Sequence, residues 1–428
     1  MKQLPSRRHV LTAIAGGVGG AIVGAGPGTD RAVAARQAGP RARRRTYVLV
    51  VDGCRPDEIT PLLMPRLSAL RDAGTTYPAA QSLPVMETIP NHVMMMGGLR
   101  PLRSGVPANS IYDRIEQVVR ELDRPSDWVA PTTIFELLRA SGRTSGTVLS
   151  KEYLYGIFGT RADYQWKPEP LVPVSDHAPD QFTADAAIAM VNSADPDLLF
   201  ANFGDVDRIG HTDVTGTTVR AARTAALASA DVQIGRLLDH LVATGRWAGS
   251  TVIVLADHSM DFSLPNAYVT LTPVFAADPL LGGKVVIAQN GGADLLYFTG
   301  PDTERTAAVA RMRSLTLAQA GVLSVHTPAE LQLSALAGDL VAFNRPGFRF
   351  SDPQPVSNPI PGNHGHPATL PIPFFVSGDP ALVRRGKVSA AAARTVDVAP
   401  TLAAIYGLRA PAGGWDGIAR TDGLVLPR

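Results

Sequence analysis

Residues 251–258 read Thr-Val-Ile-Val-Leu-Ala-Asp-His, an uninterrupted apolar run that ends on two side chains able to carry charge. A short run of β-branched and aliphatic residues is typical of a strand buried on both faces. A carboxylate and an imidazole at the end of such a strand cost free energy unless something pairs with them. The stretch therefore predicts a buried strand whose end, Asp257 and His258, leads into a functional site.

Strand-like and helix-like stretches alternate along much of the chain. The strand patterns cover residues 47–51, 144–149, 198–203, 251–255 and 370–376. The helix patterns cover residues 64–73, 132–140, 181–193, 219–241 and 396–407. This alternation predicts an α/β fold with a mostly parallel central sheet sandwiched by helices. Ligands of such sheets bind beyond the carboxyl ends of the strands.

The region 260–361 breaks this alternation. It is rich in Pro and Gly, with short strand patterns at 284–288 and 293–298 and a helix pattern at 303–317. We interpret it as a smaller α+β insertion that lies over the site. The core then consists of two parts, residues 46–259 and 362–428.

The amino-terminal residues 1–34 have the features of an export signal. Ser6-Arg7-Arg8-His9-Val10-Leu11 resembles a twin-arginine signal, an Ala/Gly-rich stretch follows, and Ala32-Val33-Ala34 fits a cleavage site. A membrane anchor fits less well, because Gly interrupts the stretch and it falls short of the ~20 apolar residues of a spanning helix. No later segment reaches that length without charge. The expected product is a soluble exported protein, periplasmic, cell-wall-associated or extracellular.

Composition narrows the functional classes further. The 428 residues are 45% hydrophobic and 18% charged, enough to bury a substantial core. Removing residues 1–34 takes four of 40 basic and one of 38 acidic residues, leaving 36 against 37, so no nucleic-acid-binding surface is indicated. The basic run in the segment 35–45 is interpreted as a solvated linker. The single cysteine, Cys54, excludes intramolecular disulfides.

Seven residues at strand ends or in Gly/Pro-rich turns are candidates for one shared site: Asp52, Thr88, Asp207, His211, Asp257, His258 and His364. Carboxylates and imidazoles presented together are ligands for a pair of divalent metals. A hydroxyl between two such metals is an activated nucleophile. Each residue taken alone also has an ordinary interpretation, as a turn, a helix cap or a polar loop residue.

The order of the motifs resembles that of the alkaline phosphatase superfamily. The motifs are Asp52-Gly, Thr88-x-Pro-Asn-His92, Asp207-x-x-Gly-His211, Ala-Asp257-His258 and His364-Gly, with Asn109 and Asp397-Val-Ala-Pro-Thr as further matches. The closest branch looks like the type I phosphodiesterase/nucleotide pyrophosphatase family, over roughly residues 46–410. The resemblance implies an alkaline-phosphatase-like fold and a metal-dependent hydrolase acting on phosphate esters.

The resemblance also implies roles for individual residues. Two divalent ions are expected, usually Zn²⁺. One would be held by Asp207, His211 and His364, and the other by Asp52, Asp257, His258 and the Thr88 oxygen. Thr88 would be the nucleophile and form a phosphothreonine intermediate. Asn91 corresponds to the amide that donates to a non-bridging phosphoryl oxygen.

The substrate is less sharply defined. The relatives that cleave nucleotides carry an aromatic residue after the nucleophile and a Tyr ahead of the first metal Asp, where this chain has Ile89 and Asn202. Glu87 and Asp205 add negative charge nearby. The sequence identifies no Arg or Lys dedicated to clamping a monoester dianion, and this mildly favours diesters, nucleotide pyrophosphates among them. Arg103, Lys151 and Arg161 are possible clamps that the sequence alone cannot place.

Several alternatives stay open at this point. A phosphomonoesterase and a phosphonate hydrolase fit the same motifs, and a secreted binding protein of this fold without catalysis is the non-enzyme alternative. A sulfatase fits poorly, because Thr88 stands where that group has Cys or Ser. The expected partner is a small-molecule phosphate ester. The sequence does not assign an oligomeric state.

Overall fold

The computed structural model describes residues 43–129, 132–173, 175–214 and 220–426. The proposed signal, residues 1–34, lies outside the described residues, as does most of the proposed linker 35–45. Among the helices that are described, none combines the length and the apolarity that crossing a bilayer requires.

The secondary structure follows the predicted alternation. The strands are β1 (Arg45–Val51), β2 (Thr75–Thr76), β3 (Ser110–Asp113), β4 (Val118–Glu121), β5 (Ser145–Leu149), β6 (Tyr164–Trp166), β7 (Leu198–Phe203), β8 (Ser250–Leu255), β9 (Asp261–Phe262), β10 (Tyr268–Val269), β11 (Val285–Asn290), β12 (Ala293–Phe298), β13 (Val322–His326), β14 (Leu340–Asn344), β15 (Arg349–Phe350), β16 (Gly362–Asn363), β17 (Phe374–Gly378) and β18 (Lys387–Val388). The helices are α1 (Pro65–Asp72), α2 (Thr88–Gly97), α3 (Pro101–Ser104), α4 (Ile134–Ala140), α5 (Glu152–Phe158), α6 (Asp180–Ser193), α7 (Asp205–Thr212), α8 (Ala221–Ala243), α9 (Thr272–Ala276), α10 (Asp302–Leu317) and α11 (Val398–Tyr406).

An eight-stranded sheet forms the centre of the molecule, in the order β18-β2-β17-β8-β1-β7-β5-β6. Strands β8, β1, β7, β5 and β6 run parallel to one another. Every residue of β7 and β8 is buried, which explains their continuous apolar sequence. The predicted α/β fold with a mostly parallel central sheet is confirmed.

The late strand differs from its prediction. The expected strand 370–376 is β17, which begins only at Phe374 and runs antiparallel to β8. Pro371 and Pro373 explain the shift, because proline has no N–H to donate to a ladder. An apolar sequence pattern alone does not distinguish a parallel neighbour from an antiparallel one.

A second, smaller sheet is made entirely from the region 260–361. It has four antiparallel strands in the order β11-β12-β14-β13, and α10 contacts it. A separate group of buried apolar residues, Leu296, Phe298 and Met312 among them, fills the space between sheet and helix. We propose that this region is a cap on a core formed by residues 46–259 and 362–428.

The basic run before β1 was interpreted as a solvated linker, and its described part does not fit that interpretation. Arg45 is the first residue of β1, and its Nη2 lies 2.8 Å from Asp195 Oδ2. Arg43 Nε donates to Asp197 Oδ1 at 2.9 Å. These ion pairs fasten the start of the strand to residues just ahead of β7, the neighbouring parallel strand.

Candidate metal centre

Three neighbouring strands deliver the candidate ligands to one edge of the sheet. Asp52 directly follows β1, and Asp257 and His258 follow β8. Asp207 and His211 lie one turn apart on α7, which begins just after β7. Since β8, β1 and β7 are parallel neighbours, their carboxyl ends bring these side chains together.

The two remaining candidates reach this edge from other elements. Thr88 is the first residue of α2, and His364 follows β16. All seven candidates therefore meet at the carboxyl edge of the sheet. Gly53 permits the close approach there, because its φ of 69° puts it in the left-handed region and its N–H donates to Asp257 Oδ1 at 3.1 Å.

Backbone carbonyl groups orient the three histidines. Nδ1 of His211 lies 2.9 Å from Gly362 O, Nδ1 of His258 lies 2.9 Å from Ser259 O, and Nδ1 of His364 lies 3.1 Å from Met86 O. A ring nitrogen that faces a carbonyl oxygen must carry the hydrogen. Each imidazole in its neutral form therefore presents the lone pair of Nε2 to the centre, the arrangement of metal-binding histidines.

The first group of ligand atoms is formed by Asp207, His211 and His364. His211 Nε2 lies 3.3 Å from Asp207 Oδ1, and the Nε2 atoms of His211 and His364 are 3.2 Å apart. In a tetrahedral shell with ~2.0–2.1 Å Zn–N bonds, ligand atoms lie about 3.3 Å apart. Two facing lone pairs repel each other, whereas a cation between them would attract both.

The second group adjoins the first. Thr88 Oγ1 lies 3.2 Å from His258 Nε2, which in turn lies 3.4 Å from Asp257 Oδ2 and 3.7 Å from Asp52 Oδ1. Asp52, Asp207 and His258 also form a group with ligand atoms within 4.8 Å of one another. The two groups thus share a border at Asp52 and Asp207.

The donor atoms fit a pair of divalent cations. Asp52 Oδ1, Asp207 Oδ1 and Asp257 Oδ2 are buried without a hydrogen-bond partner in the described part of the chain. Burial and the facing carboxylates raise the pKa values of Asp52 and Asp257 above their ordinary range. Burial lowers the pKa of His258 to about 4, so its imidazole is neutral at pH 7. Neutral imidazoles and orphaned carboxylate oxygens form a donor set suited to zinc.

Lys151 lies at the border of the two groups and is fully buried. Its Nζ lies 2.8 Å from Asp52 Oδ2, 2.7 Å from Asp207 Oδ2 and 3.3 Å from Thr88 Oγ1. Burial alone would lower the pKa of Lys151, but Asp207 and Asp52 raise it above its ordinary value, so the ammonium stays charged. The ammonium binds one oxygen of each carboxylate and leaves both Oδ1 atoms to face the candidate metal positions.

Replacing Lys151 with Met is expected to destabilise the metal-free protein by about 3–5 kcal/mol, because it leaves buried carboxylates without their counter-charge. Added Zn²⁺ should recover part of the loss, since the ions supply positive charge to the same carboxylates. Denaturant unfolding with chelator and with zinc measures both quantities. Lys167→Met is the control, because this lysine is 58% exposed. Equal stability of the Lys151 variant and wild type in chelator would contradict this role.

His92 and Asn202 support the ligand residues from behind. No supporting role was predicted for either residue from sequence. His92 Nδ1 lies 2.8 Å from Thr88 O, and its Nε2 accepts from Asn202 Nδ2 at 3.0 Å. Asn202 Nδ2 also donates to Asp52 Oδ2 at 2.7 Å. His92 lies close enough to Asp52 and Asp257 to form a group of possible metal ligands with them. Because hydrogen bonds engage both of its ring nitrogens, we interpret it as a residue that fixes the start of α2.

Arg223 joins two of the loops that carry ligands. This buried side chain donates to Gly53 O at 2.7 Å and to Val206 O at 2.9 Å, and its Nη2 lies 2.7 Å from Glu58 Oε2. The residues beside Asp52 and Asp207 are therefore fastened to one guanidinium. No motif marks Arg223, because it holds the two loops through their backbone oxygens and pairs with a single distant carboxylate, that of Glu58.

The structure contradicts the expectation for Asn91. Its Nδ2 donates to the carbonyl oxygens of Leu83, Val85 and Glu87, and its Oδ1 accepts from Leu83 N and Thr395 Oγ1. The side chain is fully buried, so Asn91 holds the turn before α2 and has no donor left for a phosphoryl oxygen. The expected role was wrong because the backbone carbonyl groups of the turn before α2 consume the amide, although Thr88 lies only three residues earlier on the same helix.

Asn109 has a side-chain amide that is not consumed in this way. It lines the same cavity as Thr88, its Oδ1 accepts from Ile89 N at 2.8 Å, and its own N–H donates to Glu87 Oε2 at 2.7 Å. Its Nδ2 has no partner among the described residues. In the sequence Asn109 is only a motif match, and its place in the motif series is the available signal.

The cavity above Thr88 has a volume of about 320 Å³ and a polar lining. Its side chains include five carboxamides: Asn109, Gln289, Asn290, Asn358 and Asn363. Tyr153 is the aromatic residue in its described lining, and burial raises the pKa of Glu87 at its edge to about 8. The core and the proposed cap both contribute to the wall.

The other residues considered from sequence lie away from this cavity. Ile89 is fully buried in the core, and Asp205 pairs with His177 at 3.1 Å, so neither lines the cavity wall. Arg103 pairs with Asp416 at 2.8 Å, and Arg161 pairs with Glu136 at 3.2 Å. Of the three possible clamps, Lys151 is the one that the structure brings to Thr88.

Comparison with known proteins agrees with the site geometry in indicating a phosphate-ester hydrolase family. The sequence profile of the type I phosphodiesterase/nucleotide pyrophosphatase family matches residues 46–366. The chain belongs to this family. The predicted resemblance is confirmed, and the predicted enzyme class, hydrolases acting on phosphate esters, is the class of the family.

Solved structures of two other proteins share the fold. Murine ectonucleotide pyrophosphatase/phosphodiesterase 5 has a TM-score of 0.73 at 17% identity, over 89% of this chain and 100% of that chain. One structure of the murine protein is an inactive threonine-to-alanine variant in complex with AMP. Phosphonoacetate hydrolase of Sinorhizobium meliloti, in complex with phosphonoformate, has a TM-score of 0.64 at 18% identity, over 84% of this chain and 95% of that chain.

Curated relatives match over shorter spans. The bis(5'-adenosyl)-triphosphatase ENPP4 of Bos taurus is 24% identical over 259 residues, 56% of this chain and 55% of its own length. A 2,3-bisphosphoglycerate-independent phosphoglycerate mutase of Synechococcus elongatus is 34% identical over 99 residues, 22% of this chain and 17% of its own length. The chain thus spans about half, or less, of the length of these relatives.

Proposed function

We propose that this chain is an exported two-metal phosphoesterase that works through a covalent phosphothreonine at Thr88. One observation carries the proposal: Thr88 Oγ1 lies 3.2 Å from His258 Nε2 and 3.3 Å from Lys151 Nζ, at the border of the two candidate ligand groups and open to the cavity. A threonine hydroxyl needs such an environment, because it is a weak nucleophile at neutral pH.

The proposed ions are Zn²⁺, held by the residues already grouped by the geometry. Asp207, His211 and His364 would hold one, and Asp52, Asp257, His258 and Thr88 Oγ1 the other. When bound, the ions supply positive charge that lowers the pKa of the hydroxyl and compensates the charge of the phosphoryl oxygens.

The protein side chains perform the remaining steps. Thr88 Oγ1 attacks phosphorus, the new O–P bond forms as the ester O–P bond breaks, and the alcohol leaves with a proton. Water then attacks phosphorus, the O–P bond to Thr88 breaks, the phosphate product leaves and a proton from the water restores the Thr88 hydroxyl. Asn109 Nδ2 donates to a non-bridging oxygen in both steps, in the role first expected of Asn91. Lys151 keeps a positive charge beside Thr88 throughout.

Family membership supports phosphodiesters, nucleotide pyrophosphates among them, as substrates. A phosphonate is the second candidate class, supported by the shared fold with phosphonoacetate hydrolase. The binding protein without catalysis is disfavoured, because all seven candidate residues converge on one site. Stacking on a nucleotide base would depend on Tyr153, since neither Ile89 nor Asn202 lines the cavity.

A hydrolysis panel tests the proposal directly. The zinc-loaded protein is assayed with bis(p-nitrophenyl) phosphate, p-nitrophenyl phosphate, a dinucleoside polyphosphate and phosphonoacetate. We expect hydrolysis of at least one phosphate ester, lost on chelation and restored by zinc. The same assay on cytosolic and exported fractions of the producing cell tests export. If the protein binds two ions and cleaves none of these compounds, the proposed function is overturned.

A further inference from the structure

Asn290, the last residue of β11 in the proposed cap, lines the cavity, but its side chain is engaged with the protein backbone. Its Oδ1 accepts from Ser110 N at 2.8 Å, and its Nδ2 donates to Ser110 O at 3.0 Å and to Ala288 O at 3.1 Å. A carboxamide has two N–H hydrogens, and both are used here. Asn290 is also buried. The side chain therefore serves Ser110 and has no donor left for a substrate.

The carboxamide of Asn290 satisfies both backbone groups of Ser110, as a neighbouring strand would. Ser110 is the first residue of β3, and β3 and β11 belong to separate sheets, so this side chain bridges them where no ladder does. Because hydrogen bonds are directional, two bonds to one planar group fix both the position and the orientation of the Ser110 backbone.

Asn109, the proposed donor to the phosphoryl group, directly precedes Ser110. Its backbone N donates to Glu87 Oε2 at 2.7 Å, and its backbone O accepts from Leu122 N at 2.8 Å. Its side chain is oriented by one bond, which Oδ1 accepts from Ile89 N at 2.8 Å. The position of Nδ2 therefore depends on the backbone around it, which the core holds on one side and the Ser110 contact holds on the other.

The hairpin that follows contacts the proposed cap at alternate residues. The rings of Tyr112 and Tyr297 lie 5.6 Å apart edge to face, and Arg114 Nη1 donates to Phe298 O at 3.0 Å. Positions 110, 112 and 114 share one face because side chains alternate along an extended chain. The carboxamide contact is the one nearest to the proposed phosphoryl donor. The other two contacts should keep the hairpin docked when that carboxamide is removed.

We propose that Asn290 is a positioning residue: it holds Ser110 so that Asn109 Nδ2 meets a non-bridging phosphoryl oxygen in the transition state. The inference rests on the proposed function, in which Asn109 is that donor. A donor stabilises a transition state most when it is already in place, since no reorganisation is then needed. The proposed cap thus contributes to catalysis as well as to the cavity wall.

Asn290→Ala should lower kcat about 10-fold and change KM less than about 3-fold, because a displaced donor weakens the transition state more than the bound substrate. Rates are measured on the ester of the hydrolysis panel that wild type cleaves fastest. Asn109→Ala alone should lower kcat about 100-fold. In that background Asn290→Ala should lower kcat by less than about a further 2-fold, since no amide remains to be positioned. Equal losses from Asn290→Ala in both backgrounds would overturn the inference.

Asn344→Ala is the matched control. Asn344 is a buried asparagine of the same small sheet, its Nδ2 donates to Phe348 O at 2.8 Å, and it is not among the described residues that line the cavity. The change removes the same chemical group without touching Ser110, so kcat should stay at the wild-type value. An equal loss in this variant and in Asn290→Ala would contradict the inference, because cap stability would then explain both. Asn290→Asp is a second variant of nearly the same shape that loses the donor to Ser110 O, and its kcat should also fall.

Two readouts do not depend on turnover. Amide hydrogen exchange at Ser110 in the metal-free protein should be faster in Asn290→Ala than in wild type or Asn344→Ala. Vanadate forms five-coordinate complexes that resemble the phosphoryl transition state, and zinc-loaded Asn290→Ala should bind it about 10-fold more weakly at equal metal content. If wild type cleaves no ester of the panel, the proposed function fails. With an active wild type, unchanged exchange at Ser110 or unchanged vanadate binding in the variant overturns this inference alone.

Discussion

Thr88→Ala is expected to lower kcat by a factor of about 10⁴ or more, because it removes the proposed nucleophile. The surrounding structure should persist. His92 Nδ1 donates to the carbonyl oxygen of Thr88, and Ile89 N donates to Asn109, so both anchors of the α2 start are independent of the lost hydroxyl. Lys151 keeps its two carboxylate partners.

The comparison variant for this prediction is Thr88→Ser, which keeps a hydroxyl at the same place and should retain measurable turnover. Acid-quenched wild type should gain the mass of one phosphoryl group on the peptide that contains Thr88, and the alanine variant should not. Circular dichroism and metal analysis check that the alanine variant is folded and loaded. Wild-type rates in a folded, metal-loaded alanine variant would rule out the phosphothreonine.

Asp257→Asn is expected to release one of two bound ions and to reduce turnover about 10³-fold or more. The change is nearly isosteric and removes the charge of a carboxylate whose Oδ2 has no hydrogen-bond partner in the part of the chain that the structure describes. The other oxygen position can still accept from Gly53 N. Mass spectrometry of metal content should therefore give about one ion per chain instead of about two.

Unfolding in chelator separates a ligand from a structural residue. Burial raises the pKa of Asp257, so the metal-free protein gains nothing from this charge, and Asp257→Asn should be as stable as wild type there. With zinc the wild type should be the more stable protein. Asp239→Asn is the control, because Asp239 is 67% exposed and its ion-pair partner, Arg66, is exposed as well. Two bound ions and full activity in the Asp257 variant would contradict its assignment.

The parallel core was predictable because its information is local. The predicted strand 198–203 coincides with β7, and the predicted strand 251–255 differs from β8 by one residue. A strand covered on both faces must be apolar throughout, and that requirement is visible in any short window of sequence. Helix ends were predicted less well: the pattern 132–140 becomes α4 at Ile134, because Thr133 caps it by accepting from Phe135 N.

The amide and the cations of the site were not predictable in this way. Asn91 and Asn109 both belong to matching motifs, but only packing shows that Asn91 is consumed by backbone groups and that Asn109 faces the cavity. Lys151 was one of three possible clamps. Its position depends on Asp52 and Asp207, two carboxylates far away in the chain.

The order of the motifs and the apolar runs before them were thus sufficient for the family, the sheet and the seven candidate residues. These properties depend on residues that are close in sequence, whose chemistry and spacing do not change with the rest of the fold. The pairing of polar atoms in the site could not be predicted in the same way, because its hydrogen bonds and ion pairs form only when distant segments pack together. Packing engages the Asn91 amide with backbone groups, leaves Asn109 at the cavity and puts Lys151 beside Thr88.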